Sequence, residues 1–335
     1  MTIERYTPAA AAEWDAFVDA SRNGTFLHRR ANMDYHASRF PDRSLMVRDA
    51  SGRLLAVLPA HVDATGTVLA SHNGLSYGGW LVAPRRVTAA VMLDMFGLLV
   101  ALLRAEGLTE LIYRPVPHIY PRQPAEEDLY ALWRMGATVI ATGASSTIDL
   151  QAPSLLDRNS HNAINRAARS DVLIAPSEAW EEFWGLLTAV LEARHEVKPV
   201  HSLDEMNLLR SRFPENIRLY AATRASRLLA GMVVYCTGRV VHSQYIAAGE
   251  EARRERLLPA LYHHVITAAA ASGARYFDFG ISTEQGGLVL NDNLDIHKSQ
   301  AGGRTTIPSL PPRACPSTVP INTLSYPSAF ICDCI

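Results

Sequence analysis

The chain has 335 residues, 48% of them hydrophobic and 19% charged, a composition that excludes disordered and fibrous classes and leaves room for about two domains. Its 32 basic and 33 acidic side chains give a net charge of −1, without the basic excess by which nucleic-acid binders displace phosphate counterions, so no DNA partner is expected. The first residues carry no basic segment followed by an apolar one, and the apolar run from Val87 to Leu103 is broken by Asp94, so neither a signal peptide nor a transmembrane segment is expected and the chain reads as cytoplasmic.

The first half opens with a helical stretch, Ala9 to Ala20, in which Trp14, Phe17 and Val18 fall on one face. Strand-like runs follow at Ser44 to Arg48, Leu54 to Val62 and Val68 to Ser71, separated by turn signals at Asp49 to Gly52 and Ala64 to Gly66, which predicts an antiparallel meander. A long apolar helix from Val87 to Glu106 stops at Gly107, and a strand from Glu110 to Arg114 leads into a Pro-rich turn.

The second half repeats this order. Helices around Asn162 to Arg169, Ala179 to Arg194 and Leu203 to Arg212 precede strands at Arg218 to Thr223, Leu228 to Tyr235 and Val240 to Ala247. A helix from Arg256 to Ala271 and a strand from Tyr276 to Ile281 complete it. The recurrence predicts an internal duplication with units at 1–150 and 151–307. From 308 to 335 the chain is Pro-rich, with Arg313 and Asp333 its charged residues and no period of 2 or 3.6, so it is expected to add little to a core. Cys236 stands alone, and Cys315, Cys332 and Cys334 lack zinc-site spacing, so no metal is expected.

Helix, meander, long helix and strand is the order of the GNAT acyltransferase fold, and two such units resemble the Fem-type transferases. The segments NGTFLHRRANMDYHASRFPDRSL, SHNGLSYGGWLV, YRPVPHIYPRQPAEEDLYALW, RHEVKPVHSLDEM, VVHSQYIAAG and YFDFGISTEQGG with a following LDIHK look like a bacterial group of Fem-like GNAT proteins associated with surface polysaccharides. The resemblance runs from about Thr25 to Thr306. It implies an α+β fold of two tandem GNAT-like domains, each a mixed, mainly antiparallel sheet flanked by helices. It further implies acyl transfer, with acyl-CoA as donor, to an amine of a sugar or nucleotide sugar in cell-envelope synthesis, or else use of aminoacyl-tRNA. The glycine-spaced loop that presents backbone N–H groups to the coenzyme A pyrophosphate in ordinary GNAT enzymes is replaced here by Ala248-Gly249-Glu250-Glu251-Ala252-Arg253-Arg254-Glu255-Arg256. A GNAT-like protein that binds without catalysis is the alternative from another class.

Acyl transfer to an amine needs a base and donors for the tetrahedral oxyanion. Ionisable groups crowd at His195, Lys198 and His201 around Pro199, where an imidazole can act as base. On the strand that follows, period 2 puts His242 and Gln244 on one face, and Ser243 and Tyr245 on the other. Asp278 alternates with Phe277 and Phe279, and Gly280, Ser282 and Glu284 follow at the strand's mouth. The resemblance implies a reaction-centre role for Lys298 in DIHK. In the first unit, His36 and Arg39 are helical neighbours able to grip an anion, beside Asp34 and Tyr35. The glycine-rich stretch with His72, Tyr77 and Gly78 permits close backbone approach. By the same resemblance these residues would hold the acceptor. His195, Lys198, His201, His242, Gln244, Asp278 and Lys298 are expected to converge on one cleft facing Ser71 to Gly79.

Overall fold

The computed structural model describes residues 1–195, 198–307 and 312–314, with backbone alone at 194, 195 and 312–314. In the first unit, the helix Ala11–Ala20 buries Trp14 and Val18 as its spacing requires. Strands Thr2–Arg5, Leu45–Arg48, Leu54–Leu58 and Leu81–Val82 form an antiparallel sheet. The run expected as one strand from Leu54 to Val62 is two. Pro59 has no N–H to give to a ladder, so the chain leaves the first sheet there and re-enters at His61–Val62 in a second one. That second sheet contains Val68–Ala70 beside Glu110–Ile112 in parallel, with the helix Ala89–Ala105 as their crossover.

The second unit is built on a seven-stranded sheet. Leu173–Ser177, Ile217–Arg224, Arg227–Cys236 and Val240–Ala248 are antiparallel neighbours. Val240–Ala248 then lies parallel to Tyr276–Ile281, with the helix Leu258–Ala271 between them in sequence. Both units thus carry an antiparallel meander, a crossover helix and a parallel strand pair, and the architecture is a tandem GNAT fold of mixed, mainly antiparallel sheets flanked by helices.

Two strands correct the expected boundaries. Ser145–Asp149, placed by the sequence in the first unit, pairs with Tyr276–Ile281 and with Arg304–Thr306 in the second unit's sheet, so the boundary at 150 falls one strand too late. Pro312–Ala314 belongs to the segment expected to stand apart, yet it pairs between Glu110–Ile112 and Thr138–Val139 in the first unit. The remainder of the 308–335 segment, with Cys315, Cys332 and Cys334, lies outside the described residues.

One apolar core joins the units. Trp180, Phe183 and Leu187 of the helix Trp180–His195 pack in one cluster with Trp14, Phe26 and Leu27 of the first unit. The ring of Phe26 meets Phe213 at 5.2 Å and Tyr235 at 5.6 Å. The cleft between the units is therefore held by packed side chains on both sides. Among the described residues, no helix is long and apolar enough to cross a membrane.

Candidate active site

The parallel pairing of Val240–Ala248 with Tyr276–Ile281 runs from Val240 opposite Tyr276 to His242 opposite Asp278 and ends there. Beyond it the two strands no longer pair. On its other edge the His242 strand slips register, so that Tyr245 faces Val233 and Ser243 faces Val234, with Gln244 left over as a bulge. The bulge breaks the period of two, and His242, Ser243 and Gln244 all line one cleft of about 540 Å³. Asp278, Phe279, Gly280 and Ser145 line it from the second unit, and Ser76, Tyr77, Arg114 and Tyr120 from the first.

Asp278 is 4% exposed and fully engaged. Its Oδ2 lies 2.8 Å from His242 Nδ1 and accepts from the Tyr120 hydroxyl at 3.4 Å. Its Oδ1 accepts from Ser145 at 2.6 Å and Thr147 at 3.1 Å. Burial alone would raise its pKa, but the bond and charge of His242 and the Ser145 hydroxyl outweigh it and hold the carboxyl below its usual value. An ionised Asp278 can only accept, so Nδ1 of His242 carries a proton, and whenever the ring is neutral its lone pair is on Nε2. Among the described residues the Nε2 atom has no hydrogen-bond partner, and the His242 side chain is 21% exposed and lines the cleft. Gly280 allows the approach: its φ is +79°, and a Cβ there would stand 3.3 Å from the imidazole. Opposite, Tyr77 and Tyr120 stack at 4.4 Å, and burial raises both phenol pKa values, so they stay neutral.

The other expected residues divide. Lys298 is buried behind the cleft, where its Nζ donates to the carbonyls of Gly280 at 2.9 Å and Ile281 at 2.7 Å; burial lowers its pKa to about 8. This lysine fixes the backbone just past Asp278 and does not line the cleft. His201 lies elsewhere, sharing a 2.5 Å hydrogen bond with the Tyr245 hydroxyl, and burial lowers its pKa. Lys198 is exposed, and the side chain of His195 lies outside the described residues. The structure thus brings His242, Gln244 and Asp278 together at the cleft, with Lys298 one layer behind, and places His201 apart from them, against Tyr245 beyond the bulge, which packs on the core between the units.

In the first unit His36 and Arg39 do not grip one anion. His36 is buried against Phe40 and His72, whereas Arg39 pairs with Glu205 at 2.6 Å, Asp34 pairs with Arg30, and Tyr35 stacks on His36. His72 is 2% exposed and lies off the cleft. Tyr77 lines it; Gly78 instead supports it, its N–H donating to the Arg114 carbonyl at 2.9 Å, with no room for a Cβ beside Ser71. Ser282 is buried, and Glu284 is exposed and accepts from Asn291. Sequence reasoning missed Arg114, Tyr120, Ser145 and Thr147. The one available signal was that Arg114 ends a strand whose neighbour, Ser71 to Gly79, was already singled out.

Coenzyme A is the cosubstrate the fold implies. The helix that would receive its pyrophosphate, Glu250–Glu255, starts at Gly249 with two acidic residues in its first turn. Glu251 pairs with Arg224 at 2.5 Å and with Arg227, and Glu255 pairs with Arg224 at 2.9 Å. Glu250 and Glu251 thus place negative charge in the first turn, where a pyrophosphate would add more, and the residues present do not fit a pyrophosphate there. Among the described residues no group of three or more His, Cys, Asp or Glu could hold a metal ion.

No curated protein matches the chain. Among solved structures it is similar to FemX, with a TM-score of 0.66 and 12% identity over 93% of this chain and 96% of that one. L-PGS from Bacillus licheniformis gives a TM-score of 0.58 and 13% identity over 96% and 97% of the two chains. A tandem GNAT protein from the clavulanic acid biosynthesis pathway gives 0.52 and 16% over 94% and 99%. At these identities the likeness is one of fold. Residues 157–285, which include His242 and Asp278, match the acetyltransferase (GNAT) domain family, and the chain has a tandem GNAT fold whose two units are arranged similarly to those of FemX.

Proposed function

We propose that the protein transfers an acyl group from an activated acyl ester or thioester to an amine bound in the cleft between the units, with His242 as general base. The observation that carries this reading is the Asp278–His242 pair where the strand pairing ends, with His242 lining the cleft and its Nε2 without a hydrogen-bond partner among the described residues. The amine nitrogen bonds to the acyl carbon as Nε2 takes its proton, the ester or thioester bond breaks, and the imidazolium returns that proton to the departing alkoxide or thiolate. Asp278 holds the imidazolium so formed, and the Gln244 carboxamide in the cleft wall offers an N–H to the oxyanion. From the resemblance we take the acceptor to be a sugar or nucleotide-sugar amine of cell-envelope or surface-polysaccharide synthesis. Acyl-CoA is the donor expected from the family. The acidic first turn of the helix Glu250–Glu255 is the reason to keep a second donor, an aminoacyl-tRNA, beside acyl-CoA.

The full chain, incubated with acetyl-CoA or aminoacyl-tRNA and a panel of amino sugars and nucleotide amino sugars, should give an acylated amine detectable by mass spectrometry. Failure of every donor with every amine would leave a GNAT-like binding protein as the better reading.

A further inference from the structure

Arg114 follows the strand Glu110–Ile112 and enters the cleft from the first unit. Its backbone is tied down on both sides: its N–H donates to Ser71 Oγ at 2.6 Å and its carbonyl accepts from Gly78. Its guanidinium is not. Among the described residues its five N–H donors make one long bond, 3.3 Å, to the Leu75 carbonyl, and no carboxylate of those residues stands within ion-pair distance. Most other half-buried arginines of the chain are paired: Arg22 with Glu127, Arg30 with Asp34 and Asp42, Arg48 with Glu4 and Glu13, and Arg224 with three acids. Burial lowers the Arg114 pKa with no opposing charge. Asp278, the carboxylate of the same cleft wall, is saturated by His242, Ser145, Thr147 and Tyr120.

A guanidinium withdrawn from water and left without a counter-charge is costly, and its planar fork matches a carboxylate or phosphate. We infer that Arg114 anchors an anionic group, a carboxylate or a phosphate, on the molecule that occupies the cleft, so that the opposite end of that molecule reaches His242. The inference deepens the acyl-transfer reading by naming the chemistry of the acceptor: an amine that also carries an anion.

The test uses the full chain with inorganic phosphate and, separately, acetate, each against chloride at matched ionic strength, read by calorimetric titration and by melting temperature. Wild type should bind one of the two anions saturably, and that one identifies the source. Arg114→Met should weaken the binding about 10- to 100-fold, and Arg114→Lys should retain part of it. Arg114→Met without anion should melt no lower than wild type, since it removes an unpaired buried charge, whereas an arginine with a structural role would show a loss. Equal affinity in wild type and Arg114→Met, no binding of either anion, or a lower melting temperature of the bare Met variant would overturn the inference. His242→Gln should bind the anion normally. Anion binding without acyl transfer would overturn the catalytic reading and spare this one, and acyl transfer to neutral amines that is indifferent to Arg114→Met would do the reverse.

Discussion

Lowering the pH should destabilise this protein through its buried histidines before the carboxylates held low titrate. His28, His36 and His72 are 0%, 2% and 2% exposed. Burial pushes the first two down to about 4, while burial and the neighbouring His36 and His61 push His72 to about 3. Each stays neutral in the folded chain at pH 5, while in the unfolded chain each binds a proton below about 6.5, so their contribution is complete above that pH and falls away as the pH drops toward 4. Between pH 7.5 and 5 the loss is about 2 kcal/mol per histidine, about 6 kcal/mol for the three, against a total stability on the order of 5–15 kcal/mol. Carboxylates held low, such as Asp278 and Glu205, give up their share only at lower pH. In urea melts at half-unit intervals these three rings should contribute a fall of about 4 kcal/mol per pH unit near pH 5, the uptake of three protons on unfolding, offset by about one proton from Asp128, whose buried carboxyl is raised to about 7 and is protonated first in the folded chain. His36→Asn should reduce the contribution of the rings by about a third. An uptake of less than one proton at pH 5, or a slope untouched by His36→Asn, would refute the placement of these rings.

If His242 is the base and Asp278 holds it, His242→Gln should lower kcat by about 10²–10⁴-fold with little change in melting temperature, and Asp278→Asn should also shift the acid limb of the pH–rate profile. Lys298→Met removes a charged donor from two carbonyls and should cost about 2–3 kcal/mol in denaturant melts. Mild acetylation of the folded chain should modify Lys198 readily and Lys298 slowly, since the first is exposed and the second 5% exposed. Truncation after residue 307 should destabilise the first unit by on the order of 1–2 kcal/mol, measured by calorimetry, because it withdraws the strand between Glu110–Ile112 and Thr138–Val139.

What the sequence made legible is what depends on local pattern. The helix with Trp14 and Val18, the stop at Gly107 and the meander before His242 all follow from periodicity and turn chemistry, and so did the resemblance that led to the fold. The residues of the candidate site depend on register. His242 and Asp278 were each singled out, but as separate features, since the pairing that joins them spans 36 positions and is set where two parallel strands cease to pair. The bulge at Gln244 could not be seen in a two-residue alternation, and it decides that Ser243 faces the cleft while Tyr245 turns to His201. His36 and His72 looked like ligands because histidines in polar, glycine-rich surroundings usually face water; here Phe40 and the Ser71 to Gly79 turn enclose them. Arg114 read as the end of a strand, and only its lack of an acidic neighbour among the described residues marks it out.

The exchange of strands between the units also bears on how the protein is made. Ser145–Asp149 is spent on a sheet whose other strands are synthesised later, and the first unit's second sheet waits for Pro312–Ala314. About 200 residues separate Ile112 from Arg313, its partner in the ladder. At ordinary elongation rates of 5–20 residues per second, a ribosome needs about 10–40 s to cover that distance. Through this interval the edge of Glu110–Ile112 is open and can pair with any strand at hand, so the nascent first unit is the stage at which a chaperone has most to protect.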